Sequence, residues 1–253
     1  MRGVLVTGAS RGIGRAIAMA FAAGGDRVAV QYASRRTDAE ETLRQLPGTG
    51  HTLIEGDLGD PDAGERIVAE AVTALGSIDV LVNNAAVAPA AGTHHPVADV
   101  PLHTWQQIWR RMLDVNVLGT ADVTWAVARH LIDRGTGGSI VNVGSRGAFR
   151  GEPDFPAYGA SKAALHAFGQ SMAVALAPHG IAVTSVAPGF VATERQSAKL
   201  TGPDGDLVRS QSPFGRVGTP EEIAATVCFL ASPAAAWTSG TIVDLNGASY
   251  LRT

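Results

Sequence analysis

Gly3-Val-Leu-Val-Thr7-Gly8-Ala-Ser-Arg-Gly12-Ile-Gly14 stands almost at the start of the chain, and an alanine-rich run follows it to about Phe21. A short apolar run, a glycine cluster and an alanine-rich segment read as strand, tight turn and helix. The glycines are spaced GxxxGxG rather than GxGxxG, but the physics is shared: a tight turn, close approach to the backbone, and a helix N-terminus suited to an anion such as a pyrophosphate. Taken alone, the same residues serve equally as a plain strand-to-helix connection. The rest of the chain decides between the two.

The pattern repeats outward from that turn. Arg27 to Tyr32 is a second strand, and Thr37 is positioned to cap a helix running to about Leu46. Thr52-Leu-Ile-Glu55 is a third strand ending at Gly56-Asp57, followed by a helix from Pro61 to Leu75. Ile78 to Val82 leads into Asn83-Asn84-Ala85-Ala86 and a Pro/Ala/Gly-rich loop from about Val87 to His103. Thr104 starts a long helix from Trp105 to about Arg134; the Ser139 strand and another helix follow. Ile181 to Val186 is a sixth strand, ending at Pro188-Gly189. Thr219-Pro-Glu-Glu222 is a helix start with threonine as N-cap and proline first in the helix. A last strand spans about Thr241 to Leu245. The strands are nearly continuously apolar, as when both faces are covered. This predicts an α/β fold, a doubly wound parallel sheet of about seven strands with helices on both faces, in one domain over residues 1–253.

Composition narrows the function classes. With 45% hydrophobic residues in 253, the chain can build a large core. A formal charge of −3 and the lack of a basic stripe argue against a nucleic-acid partner. No apolar run has the length of a membrane span, and the first strand leaves no room for a leader. The single Cys228 excludes an intrachain disulfide and reads as a packing residue. The expectation is a soluble, cytoplasmic protein that acts on a small molecule.

Chemistry concentrates after the Ser139-Ile-Val-Asn-Val-Gly-Ser145 strand. In Tyr158-Gly-Ala-Ser-Lys162 the phenol and the ammonium lie four apart, hence on one helical face, with Ser145 at a strand tip able to face both. A cation about 4 Å from a phenol favours phenolate by roughly 4 kcal/mol at an effective dielectric of 20. That is at most ~3 pKa units before desolvation opposes it, enough to bring tyrosine toward neutrality as a general acid/base. An ordinary surface Tyr and Lys is the plain alternative for this pair in isolation.

The motifs in order are Thr7-Gly8-Ala-Ser-Arg-Gly12-Ile-Gly14, Asn83-Asn84-Ala85-Ala86, Asn116, Ser145, Tyr158-xxx-Lys162 and Pro188-Gly189. Together they resemble the short-chain dehydrogenase/reductase family, in its subgroup of about this length, over essentially the whole chain. One departure is Ala86, where the family has glycine. The resemblance implies a Rossmann-type fold and reversible hydride transfer between a nicotinamide and a carbonyl or alcohol carbon. Tyr158 would be the acid/base, Ser145 the hydrogen-bond partner of the carbonyl oxygen and Lys162 the residue tuning Tyr158 and holding the nicotinamide ribose. Asn116 would hold a water linking Lys162 to solvent. Gly8, Ser10, Arg11, Gly12, Ile13 and Gly14 would line the cofactor, and Asp57 and Leu58 its adenine. Asn84 would brace the central strands, with Ala85 and Ala86 beside the cofactor. Val186, Pro188, Gly189, Val191 and Thr193 would border the nicotinamide.

The second strand ends Gln31-Tyr32-Ala33-Ser34-Arg35-Arg36, with no carboxylate until Asp38. An acid there would bind a ribose 2′-OH, whereas Arg11 with Arg35 or Arg36 suits a 2′-phosphate, so NADP(H) is expected, with NAD(H) as the alternative and solvated arginines as the plain one. The substrate pocket is expected between the segment from Arg146 to Phe155, the loop from Val87 to His103 and a polar loop from Phe190 to Arg216 with a mobile turn at Pro203-Asp-Gly-Asp206. Arg146 and Arg150 point either to an anionic substrate or simply to solvent. His94-His95 lacks Cys or carboxylate companions and is read as solvated loop, with no metal site. Trp105, Trp109, Trp125 and Trp237 are read as packing residues. Relatives by general look include 3-oxoacyl thioester reductases and carbonyl or sugar-alcohol dehydrogenases, and the loops do not choose among them. Small residues on the Tyr158 helix permit close approach of another helix or simply pack inside the subunit; the resemblance implies a homotetramer, with a dimer second. A catalytically silent dinucleotide-binding regulator is the competing reading, and the intact Ser145, Tyr158 and Lys162 speak against it.

Overall fold

The computed structural model describes residues 1–252. The apolar runs become β1 (Gly3–Val6), β2 (Arg27–Tyr32), β3 (Thr52–Glu55), β4 (Val80–Asn83), β5 (Gly138–Val143), β6 (Ile181–Pro188) and β7 (Ile242–Leu245). They form one all-parallel sheet in the order β3-β2-β1-β4-β5-β6-β7. The helices are α1 (Gly12–Ala23), α2 (Arg36–Gln45), α3 (Ala63–Leu75), α4 (Leu102–Leu113) and α5 (Thr120–Arg134). After β5 come α6 (Gly147–Arg150), α7 (Pro156–Leu176), α8 (Ser197–Thr201), α9 (Gly205–Arg209) and α10 (Pro220–Leu230).

Alternation along each strand divides the core between two faces. Val4 and Val6 of β1 join a cluster with Ile17 and Phe21 of α1 and Val227 of α10. Leu5 faces the other way, into a cluster with Ile67 of α3, Leu131 of α5 and Leu176 of α7. Strand order reverses between β1 and β4, so the crevice beyond their carboxyl ends is where such a sheet takes a ligand.

Several expectations need correction. The long helix is not one α-helix: Asp114–Gly119 is a π-helical turn between α4 and α5. The Asn116 side chain bonds both main-chain groups of Val87, accepting from its N–H at 2.7 Å and donating to its carbonyl at 3.0 Å, and this anchorage lies within the widened turn. Thr37 caps nothing, because α2 already starts at Arg36. The segment from Phe190 to Arg216 carries α8 and α9 rather than plain loop, and Gly205 and Asp206 of the expected turn are helical. His95 is fully buried, with Nδ1 2.6 Å from the Thr93 carbonyl and Nε2 accepting from the Ala157 N–H at 3.1 Å. Trp105 and Trp109 do pack together, but Trp125 is 56% exposed and Trp237 is fully exposed. At α10 the expected cap forms: Thr219 Oγ1 accepts from the Glu222 N–H, and Glu222 returns the bond to the Thr219 N–H at 2.8 Å.

Candidate active site

A cleft of about 660 Å³ opens at the carboxyl ends of the central strands. Its first wall is the glycine turn. Gly8 and Gly12 have positive φ (63° and 56°), which a side chain would strain. A β-carbon on Gly14 would lie 2.4 Å from the Gly8 carbonyl oxygen and 2.5 Å from Asn84 Nδ2. Asn84 earns its place in the turn by donating to the carbonyls of Thr7 and Gly8 at 2.9 and 3.0 Å. Buried Gln31 ties the turn to the end of β3, accepting from the Gly8 N–H and donating to the Gly56 carbonyl. Its only sequence signal was an amide inside an apolar strand. Ala86 does not have positive φ, so replacing the family's glycine strains no backbone there.

Ser10, Arg11, Ile13 and Arg35 line the adjoining part of the cleft. Burial, and then the nearby Arg35 and Arg195 guanidinium groups, lower the Arg11 pKa, with Asp38 and Glu194 opposing. Arg35 is loosely paired with Asp38 at 3.4 Å. Arg36 does not join them: it pairs with Glu40 at 2.9 Å and lies outside the cleft lining. Asp57 and Leu58 close this end, with Asp57 held by Arg111 at 2.6 Å and by the Gly59 N–H at 2.9 Å.

At the other end, Ser145, Tyr158 and Lys162 converge on the cleft. Ser145 follows β5 and accepts from the Gly147 N–H at 3.0 Å. The Lys162 ammonium donates to the Val143 carbonyl at 2.8 Å and sits 6.0 Å from the centre of the Tyr158 ring. The tyrosine is not tuned as its spacing suggests. Burial pushes the phenol above its ordinary value, with the Ser145 hydroxyl and Arg195 opposing. Lys162 is itself desolvated, its pKa lowered to about 7 by burial and then by Arg195, so it brings less positive charge to the phenol than a solvated lysine.

Asn116 is buried, and its amide is spent on Val87 and on Ser161 Oγ (2.9 Å), not turned to Lys162. Pro188, Gly189, Val191 and Thr193 line the cleft, whereas Val186 is buried in the core behind them. Gly12 faces Thr193 from the opposite wall. Glu152, Phe190, Arg195 and Lys199, given no individual role by the sequence but lying in the segments expected to wall the pocket, all line this end. Arg146 is not solvated and has no ion pair among the described residues: it is 4% exposed, bonded to Gln211 and Ser249 and set over the Phe190 ring. Burial and Arg150 lower its pKa to about 10. Among the described residues there is no cluster of three metal-ligating side chains, and no helix is long and apolar enough to cross a membrane.

Sequence and fold both resemble those of known proteins. Residues 8–247 match a family model described as enoyl-(acyl carrier protein) reductase. An L-rhamnose 1-dehydrogenase (NAD(P)(+)) of Sphingomonas sp. strain SKA58 is 36% identical, covering 98% of this chain and 96% of that protein. The 3-oxoacyl-[acyl-carrier-protein] reductase FabG of Staphylococcus aureus strain Mu50 is 33% identical, over 99% and 98% of the two chains. A short chain dehydrogenase from Burkholderia cenocepacia J2315, solved in complex with NADP, superposes with a TM-score of 0.88 at 34% identity, over 98% and 97% of the chains. The chain belongs to the short-chain dehydrogenase/reductase family and is an oxidoreductase.

Proposed function

We propose that this oxidoreductase uses NADP(H), with NAD(H) as a second cofactor, and that it interconverts a carbonyl and an alcohol with Tyr158 as the general acid/base. The carrying observation is the convergence of Ser145, Tyr158 and Lys162 on a cleft that also reaches the glycine turn. That turn fits a dinucleotide, since β-carbons at Gly8 and Gly14 would close it and the N-terminus of α1 points at the space they leave. Arg11 and Arg35 supply donors for a 2′-phosphate, with Arg36 removed from the expected set. The dinucleotide, when bound, gives a hydride in reduction and takes one in oxidation.

The chain's own residues handle the oxygen and the proton. Ser145 Oγ donates to the carbonyl oxygen and stabilises charge as it grows there. Tyr158, held protonated by burial, delivers the proton to that oxygen in reduction; in oxidation it must first lose one, which rising pH assists. Lys162 is pinned by the Val143 carbonyl within reach of the phenol face and serves as the positioning cation. The enzyme works as a homotetramer in the cytoplasm, and the apolar exposed side of α5 and α7 supports self-association.

The test is NADPH consumption, with NADH in parallel, against ketones, diketones and 3-oxoacyl thioesters, and the reverse assay with alcohols and sugars. Tyr158→Phe is expected to lower turnover by about 10²-fold or more while NADPH still quenches protein fluorescence. Retained turnover in that variant rejects the acid/base role.

A further inference from the structure

Glu152 carries a carboxylate that the fold does not use. It lies six residues before Tyr158 and folds back over two glycines. A β-carbon on Gly147 would stand 2.5 Å from its Oε1, and one on Gly159 would stand 3.6 Å from its own β-carbon. The half-buried side chain is thereby seated in the cleft wall beside Ser145 and Tyr158. Among the described residues nothing donates a hydrogen bond to it and no cation lies within 4 Å. Burial raises its pKa, and Arg150, Arg146 and Lys199 oppose that from a distance. The nearest arginines are committed elsewhere: Arg146 and Arg150 both donate to Gln211.

An ionised carboxylate only accepts hydrogen bonds, with room for about four. A ligand that displaces its water must return those bonds or lose affinity. An acyl chain has no donors to return, and an anionic substrate would meet like charge. A cationic ligand would meet Arg195 and Lys199, which line the same end of the cleft. A neutral molecule with several hydroxyls satisfies both partners, because each hydroxyl donates to the carboxylate and accepts from the cations.

We propose that Glu152 is a specificity-determining residue, accepting hydrogen bonds from the hydroxyls of a neutral polyhydroxylated substrate, an aldose or polyol, beside the carbon that is oxidised or reduced. This rests on the hydride-transfer reading above.

The experiment uses the full chain with saturating NADP⁺ and compares kcat/KM for a panel of aldoses, a secondary alcohol with one hydroxyl and a 2-hydroxy acid. Glu152→Gln keeps the shape and removes the charge. It is expected to lower the aldose-to-monoalcohol ratio of kcat/KM about 10- to 100-fold, mostly through KM, the loss typical of a hydrogen bond to a charged group. Glu152→Asp, which shortens the reach by one methylene, is expected to give a smaller loss in the same ratio and stands in if the Gln variant does not fold. Equal effects on all substrates, no effect, or wild-type preference for the hydroxy acid overturns the assignment. Turnover of the monoalcohol with an unmoved ratio rejects Glu152 alone. No turnover of any compound in either direction rejects the hydride-transfer reading and this proposal with it.

Discussion

A neutral imidazole beneath the loop that carries Ser145 sets an acid limit on this fold. His166 lies on α7 one turn beyond Lys162, is 3% exposed and stacks on Phe149 with ring centres 5.2 Å apart. A β-carbon on Gly144 would fall 2.1 Å from its ring, so the loop carrying Ser145 rests on it. Among the described residues neither ring nitrogen finds a hydrogen bond of good geometry. Burial lowers its pKa to about 4, and the main chain of Ser145 opposes only in part. Between pH 6.5 and about 4 the unfolded chain takes a proton that the folded one refuses, so stability falls as pH drops through that window. The full loss is about 3 kcal/mol. Urea unfolding at pH 7 and pH 4.5 should show His166→Leu losing less on acidification by a large part of that amount. Equal losses in both proteins would remove His166 from the account. That Ser145, Tyr158 and Lys162 come together at the candidate site was legible because they stand in a spaced pattern. The charge state of the tyrosine was not, since spacing reports proximity while burial, read only from packing, decides the sign.

Elements show the same division. The Thr219 cap and the Pro220 start of α10 were legible because they depend on adjacent residues; the structure adds the returning Glu222 bond that completes a capping box. Removing the cap hydroxyl with Thr219→Ala is expected to cost about 1 kcal/mol in urea unfolding, loosening the packing of α10 on α1. A change under a few tenths would show that the Arg216–Glu222 ion pair, at 2.6 Å, holds the turn by itself. The π turn at Asp114–Gly119 was not legible. It is tied to Val87, 29 positions earlier, and Gly119 in the local run weakens an α-helix without specifying a π turn. The same applies to α8 and α9, whose sequence is as polar as any loop.

For the whole molecule, the unmatched apolar surface is the informative feature. Leu118, Trp125 (56% exposed) and Val174 (79% exposed) lie on the π turn, α5 and α7, and Ala160, Ala163 and Ala167 on α7 are exposed as well. Small residues let a second copy approach closely, and the large ones supply area worth roughly 1.5–3 kcal/mol for each fully buried side chain. Light scattering should give a mass near four copies, and Trp125→Asp should lower it at micromolar protein. An unchanged mass in the variant would take this face out of the interface, and a monomeric wild type would remove the oligomer itself.

The sequence by itself determined the alternation of strands and helices, the parallel sheet, the glycine turn and the motif set that marks the family. All of these follow from periodicity or from residues close together in the chain. Only the tertiary structure decided that Arg36 lies outside the cleft lining, that Arg146 and His95 are buried, that Val186 is buried behind the lining rather than part of it, and that Glu152 has no partner among the described residues. Each of these depends on which distant segment fills the space around one side chain, and burial and pairing are properties of that space.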